Sequence, residues 1–157
     1  MKSKVYNIMI VDDHALFRDG LKLLINAHES FKVIAEASNG KEFLDQIDYI
    51  PADVVLMDIS MPEVNGIEAC EKALKIKPEL KIITLSMYGD EDYYYKMLDA
   101  GASGFLLKES DIDEVYTALF NVIEGKNYFS QELLQNLVNN IHNQNNEKIV
   151  DKYSLTE

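Results

Sequence analysis

The chain has 157 residues, 47% of them hydrophobic, which suffices for one domain of ordinary size with a real core plus a tail. Its formal net charge is -12, and residues 1–125 hold 12 Lys+Arg against 23 Asp+Glu, so this body repels nucleic-acid phosphates and attracts cations. No apolar run reaches membrane-spanning length, the start Met1-Lys2-Ser3-Lys4 is no signal peptide, and a lone Cys70 excludes an intrachain disulfide or a multi-cysteine metal site; the expected location is the cytoplasm, with no membrane partner.

Taken in chain order, apolar β-branched runs at residues 6–11, 33–37, 54–57, 82–85 and 104–107 alternate with helical patterns. Phe17, Leu21, Leu24 and Ile25 keep helical spacing after the first run. Asn39-Gly40 turns into a second helix, Pro62 and Asn65-Gly66 lie before a third, and Pro78 stops it. Tyr93-Tyr94-Tyr95, behind Asp90-Glu91-Asp92, cannot all be buried on one fourth helix, so at least one tyrosine is expected at the surface. Ser110 is the expected cap of a fifth helix with the stripe Ile112, Val115, Leu119, Val122 and Ile123, and Gly125 its stop. Ser130 opens a sixth through Leu133, Leu134, Leu137, Val138 and Ile141, after which the polar stretch 142–148 has nothing to bury and reads as a linker. Five strands, each followed by a helix, predict an α/β fold: a doubly wound, five-stranded parallel sheet covered on both faces.

Ligands of such sheets bind in the crevice at the carboxyl ends of the strands. The first strand ends in Asp12 and Asp13, the third in Asp58, the fourth in Ser86 and the fifth in Lys108. Crowded carboxylates resist ionising unless a cation joins them, and Mg²⁺ takes oxygen ligands while bridging carboxylates to a phosphate. Beside such an ion Asp58 is placed to attack phosphorus as a nucleophile, with the Lys108 ammonium and the Ser86 hydroxyl receiving phosphoryl oxygens.

The acidic pair in IMIVDDH, the segment VVLMDISMPEVNG, the hydroxyl in IITLS and the lysine in GASGFLLK resemble the receiver domain of bacterial two-component response regulators over residues 4–125. The resemblance implies a flavodoxin-like (CheY-like) fold with strand order 2-1-3-4-5 and, on this chain, an extra C-terminal helix. It implies that Asp12, Asp13, Asp58 and the backbone carbonyl of Ser60 hold Mg²⁺ or Mn²⁺, and that Asp58 accepts a phosphoryl group from a sensor histidine kinase. Ser86 is then the switch hydroxyl, Phe105 the coupled aromatic and Lys108 the ion-pairing group. Such a protein is no turnover enzyme, catalysing only its own phosphorylation and dephosphorylation, and a phosphorylation-dependent homodimer is a possible readout. Glu109 stands where proline usually follows the lysine, and the NarL/FixJ (LuxR-like) branch commonly lacks that proline. GKNYFSQELLQNL resembles the extra helix of that branch, and Ser154-Leu155-Thr156-Glu157 the first residues of its helix-turn-helix output domain. The expected layout is therefore a receiver domain at 1–125, an extra helix at 126–142, and at 143–157 a linker with the first residues of a DNA-binding domain cut off. DNA would be reached only through that absent unit.

Each residue also has an ordinary explanation. Asp13 is a plausible cap of the first helix, Asp58 a turn residue, Ser86 a partner of local backbone, Lys108 a solvated lysine and Phe105 a core aromatic. His14, His28 and His142 have no ligand spacing and read as surface or helix-edge residues; His14 adjoins the acid pair, within reach of the site rim, but the ordinary reading is preferred for it too. Two other functions compete. An aspartyl-nucleophile phosphatase needs a second carboxylate two residues past Asp58, where Ser60 stands. A flavodoxin-like carrier needs a glycine- and hydroxyl-rich first loop, and here that loop is acidic.

Overall fold

The computed structural model describes residues 4–61, 65–87, 94–129, 134, 135, 138 and 139. Six strands, β1 (Tyr6–Val11), β2 (Phe31–Ala37), β3 (Val54–Asp58), β4 (Lys81–Ser86), β5 (Gly104–Leu107) and β6 (Tyr128–Phe129), form one sheet. Their order is β2-β1-β3-β4-β5-β6 and every pairing is parallel. Five helices intervene: α1 (Ala15–Asn26), α2 (Gly40–Gln46), α3 (Gly66–Ile76), α4 (Tyr94–Asp99) and α5 (Ile112–Ile123). The expected order of the first five strands, 2-1-3-4-5, holds, with a sixth strand added beside β5.

Both faces of the sheet are covered, which is why the central strands read as apolar runs and not as alternating patterns. Successive side chains still point to opposite faces. Ile8, Ile10, Leu56 and Leu85 pack with Leu21 and Ile25 of α1 and Leu119 of α5. Met9, Val11, Val55 and Met57 pack with Phe43 of α2, Ala69, Cys70 and Ala73 of α3, and Met97 of α4. Cys70 fills the ordinary structural role expected of it: its Sγ donates to the Ala100 carbonyl at 3.6 Å, and burial pushes its thiol up to about 12.

Local chemistry starts and stops the helices. The Asn39 side chain accepts from the Glu42 amide at 2.8 Å and that of Asn65 from the Glu68 amide at 3.0 Å, each capping its helix. Ahead of Pro78, Lys77 turns extended with ψ of 85° and α3 ends. Gly125 ends α5 with φ of +89°, a left-handed conformation that favours glycine.

Four details differ from the sequence reading. Asp111, not Ser110, occupies the cap of α5 and makes no side-chain cap bond there. His14, not Asp13, occupies the cap of α1. Tyr128 and Phe129, expected to lead into a helix, instead pair with Gly104 and Phe105 as β6. Leu24 is 47% exposed although it shares the spacing of the buried Leu21 and Ile25. Of the sixth helix, residues 134, 135, 138 and 139 are helical, with Leu134 and Val138 exposed. Ser130, Leu133, Leu137, Ile141, the linker 142–148 and the tail to Glu157 lie outside the described residues, as do Pro62, Asp90, Glu91, Asp92 and Tyr93. Tyr95 is half-buried against the core. Among the described residues no helix is long and apolar enough to cross a membrane.

Candidate functional site

The register of the sheet brings four strand ends together. Val11 pairs with Met57, Asp58 with Leu85, and Ser86 with Leu107, so Asp12, Asp58, Ser86 and Lys108 end neighbouring strands β1, β3, β4 and β5. The chain order reverses between β1 and β3: the crossover leaving β1 goes toward β2 and the crossover leaving β3 goes toward β4. That is the topological switch point of a doubly wound sheet, and the acids lie on it.

Asp12 is wholly buried. Its amide donates to the Ala37 carbonyl at 3.0 Å, adding one ladder bond past β1, and the Arg18 guanidinium donates to its carbonyl from α1. Its Oδ1 accepts from the His14 amide at 2.8 Å. Asp58, 2% exposed, accepts from the Ser60 amide through Oδ1 at 3.1 Å, so the ordinary turn role and a place in the crevice coexist. Lys108 has a side chain only 9% exposed; its Nζ stands 2.8 Å from Asp12 Oδ2 and 3.3 Å from Asp58 Oδ2. Its amide donates to the Ser86 carbonyl at 2.9 Å, and its ammonium lies 4.8 Å from the centroid of the Phe17 ring. The solvated-lysine alternative is thereby excluded.

The charge balance inside this crevice is negative. Burial, then the charge of Asp12, pushes the Asp58 carboxyl up to about 6, against the smaller opposing pull of Lys108 and the Ser60 amide. Asp12 Oδ2 and Asp58 Oδ2 share the single Lys108 ammonium. The buried Ser86 Oγ has no hydrogen-bond partner among the described residues. An orphaned buried polar atom costs about 1–3 kcal/mol, so the Ser86 hydroxyl marks a place built for something else. The donor set says what: Asp12, Asp13, His14 and Asp58 each offer a ligand atom, all within 4.8 Å of one another. Hard carboxylate oxygens so spaced fit a divalent cation, and an ammonium plus a free hydroxyl fit an anionic oxygen beside it.

Of the residues singled out in the sequence, Asp12, Asp13, Asp58 and Lys108 are thus assembled, with Ser86 on the adjoining strand end. Ser60 joins through its amide and its side chain is exposed. Phe105 lies three residues back along β5, fully buried and stacked on Phe129 with ring centroids 5.2 Å apart. His14 was read as an ordinary surface residue and is 66% exposed, yet its Nδ1 lies 3.1 Å from Asp12 Oδ1, 3.2 Å from Asp13 Oδ1 and 3.2 Å from Lys108 Nζ. Its position directly after the acid pair was the available signal. Arg18, which braces the loop, stands one helical turn past His14, a spacing that becomes informative only once α1 is known to start there.

A family model described as "Response regulator receiver domain" matches residues 8–120. The chain is 39% identical over 131 residues to the transcriptional regulatory protein DegU of Brevibacillus brevis, covering 83% of this chain and 56% of that protein. It is 37% identical over 138 residues to the oxygen regulatory protein NreC of Staphylococcus epidermidis, covering 87% of this chain and 63% of that one. The chain therefore spans less than two thirds of the length of either relative. A crystal structure of a LuxR-family two-component response regulator from Aurantimonas superposes with a TM-score of 0.82 at 29% identity, covering 87% of this chain and 98% of that one.

Proposed function

The chain belongs to the response regulator receiver domain family, its homologues being regulators of the LuxR/NarL branch, and from that premise we propose that it is a phosphorylation switch whose acceptor is Asp58. The observation that carries this reading is Lys108 Nζ set between Asp12 Oδ2 at 2.8 Å and Asp58 Oδ2 at 3.3 Å, three groups from three distant stretches of chain meeting at one crevice.

In the proposed step an Asp58 carboxylate oxygen attacks the phosphorus of a phosphohistidine on a sensor kinase. The P–O bond forms, the P–N bond breaks, and the departing imidazole takes its proton from solvent. The Lys108 ammonium receives charge on one phosphoryl oxygen, and the Ser86 hydroxyl, buried without a hydrogen-bond partner among the described residues, is available to donate to another. Receiver domains bind Mg²⁺ at an acidic pocket; here Asp12, Asp13, Asp58 and the Ser60 carbonyl would hold Mg²⁺ or Mn²⁺, which when bound neutralises the carboxylates and the incoming phosphoryl group. Phosphorylation adds charge in a crevice ringed by buried groups, drawing Ser86 inward and biasing the packing of Phe105.

The relatives named as transcriptional and oxygen regulatory proteins support a role in gene control. We place the receiver unit at residues 1–125, an extra segment at 126–142 in which a helix follows β6, and a linker at 143–157 toward a DNA-binding unit, in a cytoplasmic protein that self-associates on phosphorylation. The test is mass spectrometry after treatment with acetyl phosphate, with and without Mg²⁺. One added phosphoryl group is expected, dependent on Mg²⁺ and absent in Asp58→Asn; undiminished labelling of that variant would overturn the assignment.

A further inference from the structure

We propose that His14 is a nitrogen donor of the divalent-cation site and biases it toward first-row transition ions over Mg²⁺. The proposal rests on reading the acidic cluster as a cation site and adds the residue that sets which cation it prefers.

The contacts of one atom motivate it. His14 Nδ1 lies 3.1 Å from Asp12 Oδ1, 3.2 Å from Asp13 Oδ1 and 3.2 Å from Lys108 Nζ. A neutral ring nitrogen is either a donor or an acceptor, while carboxylates only accept and an ammonium only donates. As a donor Nδ1 serves one carboxylate and opposes Lys108; as an acceptor it serves Lys108 and opposes both acids. A divalent cation satisfies the nitrogen lone pair and both Oδ1 carboxylate oxygens at once, while the Lys108 ammonium keeps Asp12 Oδ2 and Asp58 Oδ2. The spacing agrees: neighbouring ligands of an octahedral ion with bonds of about 2.1 Å stand about 3.0 Å apart.

The backbone holds the ring in place. His14 occupies the cap of α1 with φ of -89° and ψ of 97°, and its amide is bonded to Asp12 Oδ1 at 2.8 Å, so an acid of the site also fixes the residue that supplies the nitrogen. Independent support for a ligand at this mouth comes from the wholly buried Ser86 Oγ, which has no hydrogen-bond partner among the described residues. Mg²⁺ prefers oxygen, whereas imidazole suits transition ions, so a histidine at the rim adds affinity selectively.

Mn²⁺ is the probe. Electron spin-echo modulation of Mn²⁺ bound to the protein at pH 8 is expected to show a directly coordinated ¹⁴N that disappears in His14→Ala and in His14→Phe, which keeps a ring without nitrogen. By calorimetry both variants should lose about tenfold in Mn²⁺ affinity and less than about twofold in Mg²⁺ affinity. Absence of ¹⁴N coupling in the unaltered protein, or equal losses for the two ions, would overturn the proposal. Asp13→Asn and Asp58→Asn separate it from its premise. If they abolish Mn²⁺ binding while the His14 variants bind normally, only the role of His14 falls. If they too bind Mn²⁺ normally, the cation site itself falls.

Discussion

Asp58 shows how one buried side chain costs the fold stability. Its carboxyl is raised from an ordinary 3.8 to about 6, so the folded protein binds that proton more tightly than the unfolded chain. Stability contributed by this group is therefore greatest below the ordinary value and falls as pH rises toward 6, reaching a penalty of about 3 kcal/mol above it. Urea denaturation in EDTA should find Asp58→Asn more stable than the unaltered protein by up to about 3 kcal/mol at pH 8, the gap closing toward pH 4. A less stable Asp58→Asn at pH 8 would contradict the strain inferred for the pair. Lys108→Ala acts oppositely, leaving two buried carboxylates without their counter-charge; at pH 8 in EDTA it should lose about 3 kcal/mol or more, and less near pH 5, where protonation relieves Asp58. These residues were legible in the sequence because polar side chains that break off apolar runs are conspicuous. His14 was not, since which way a ring turns depends on the cap of α1 and not on residue spacing.

Among the elements, α3 aligns the site by close approach. A Cβ built on Gly66 would lie 2.6 Å from the Asp58 carbonyl oxygen and 2.9 Å from the Ile59 Cα, both backbone atoms that cannot step aside. The Gly66 amide meanwhile donates to the Ile59 carbonyl at 3.1 Å, so the start of α3 is held against the end of β3. Gly66→Ala should cost about 1–3 kcal/mol in thermal or urea denaturation and slow acetyl phosphate labelling of Asp58, because helix and strand end must part. Gly125→Ala meets no atom within 4 Å, so its effect should come only from the left-handed φ of +89°. The Asn65-Gly66 pair was visible as a turn, but the demand on the glycine is one of distance, which spacing along a chain does not encode. The five strands were readable as apolar runs bounded by turns. β6 was not, because two aromatics after a helix carry no period, and only the free edge of β5 makes them a strand.

At the scale of the whole molecule, a body of net charge -12 concentrates its repulsion where two wholly or nearly buried acids share one ammonium. A divalent cation that binds only the folded form should then raise the melting temperature, with a stabilisation of about 2.7 kcal/mol at a hundred times its dissociation constant. Calorimetric scans with Mg²⁺ are expected to show that rise in the unaltered protein and its loss in Asp13→Asn; an equal rise in both would place the ion elsewhere. The doubly wound architecture was recoverable from strand–helix alternation alone, since covering both faces of a parallel sheet leaves few other arrangements.

The aromatic stack between Phe105 and Phe129 gives this architecture a lever. β6 lies in parallel register with β5, and its second ring rests on a side chain three residues upstream of Lys108. Two rings in face contact turn together or leave a hole, and close-packed interiors resist holes. A rotation of Phe105 therefore either ejects Phe129 from its berth or carries it along, and in both cases the last pairing of the sheet feels it.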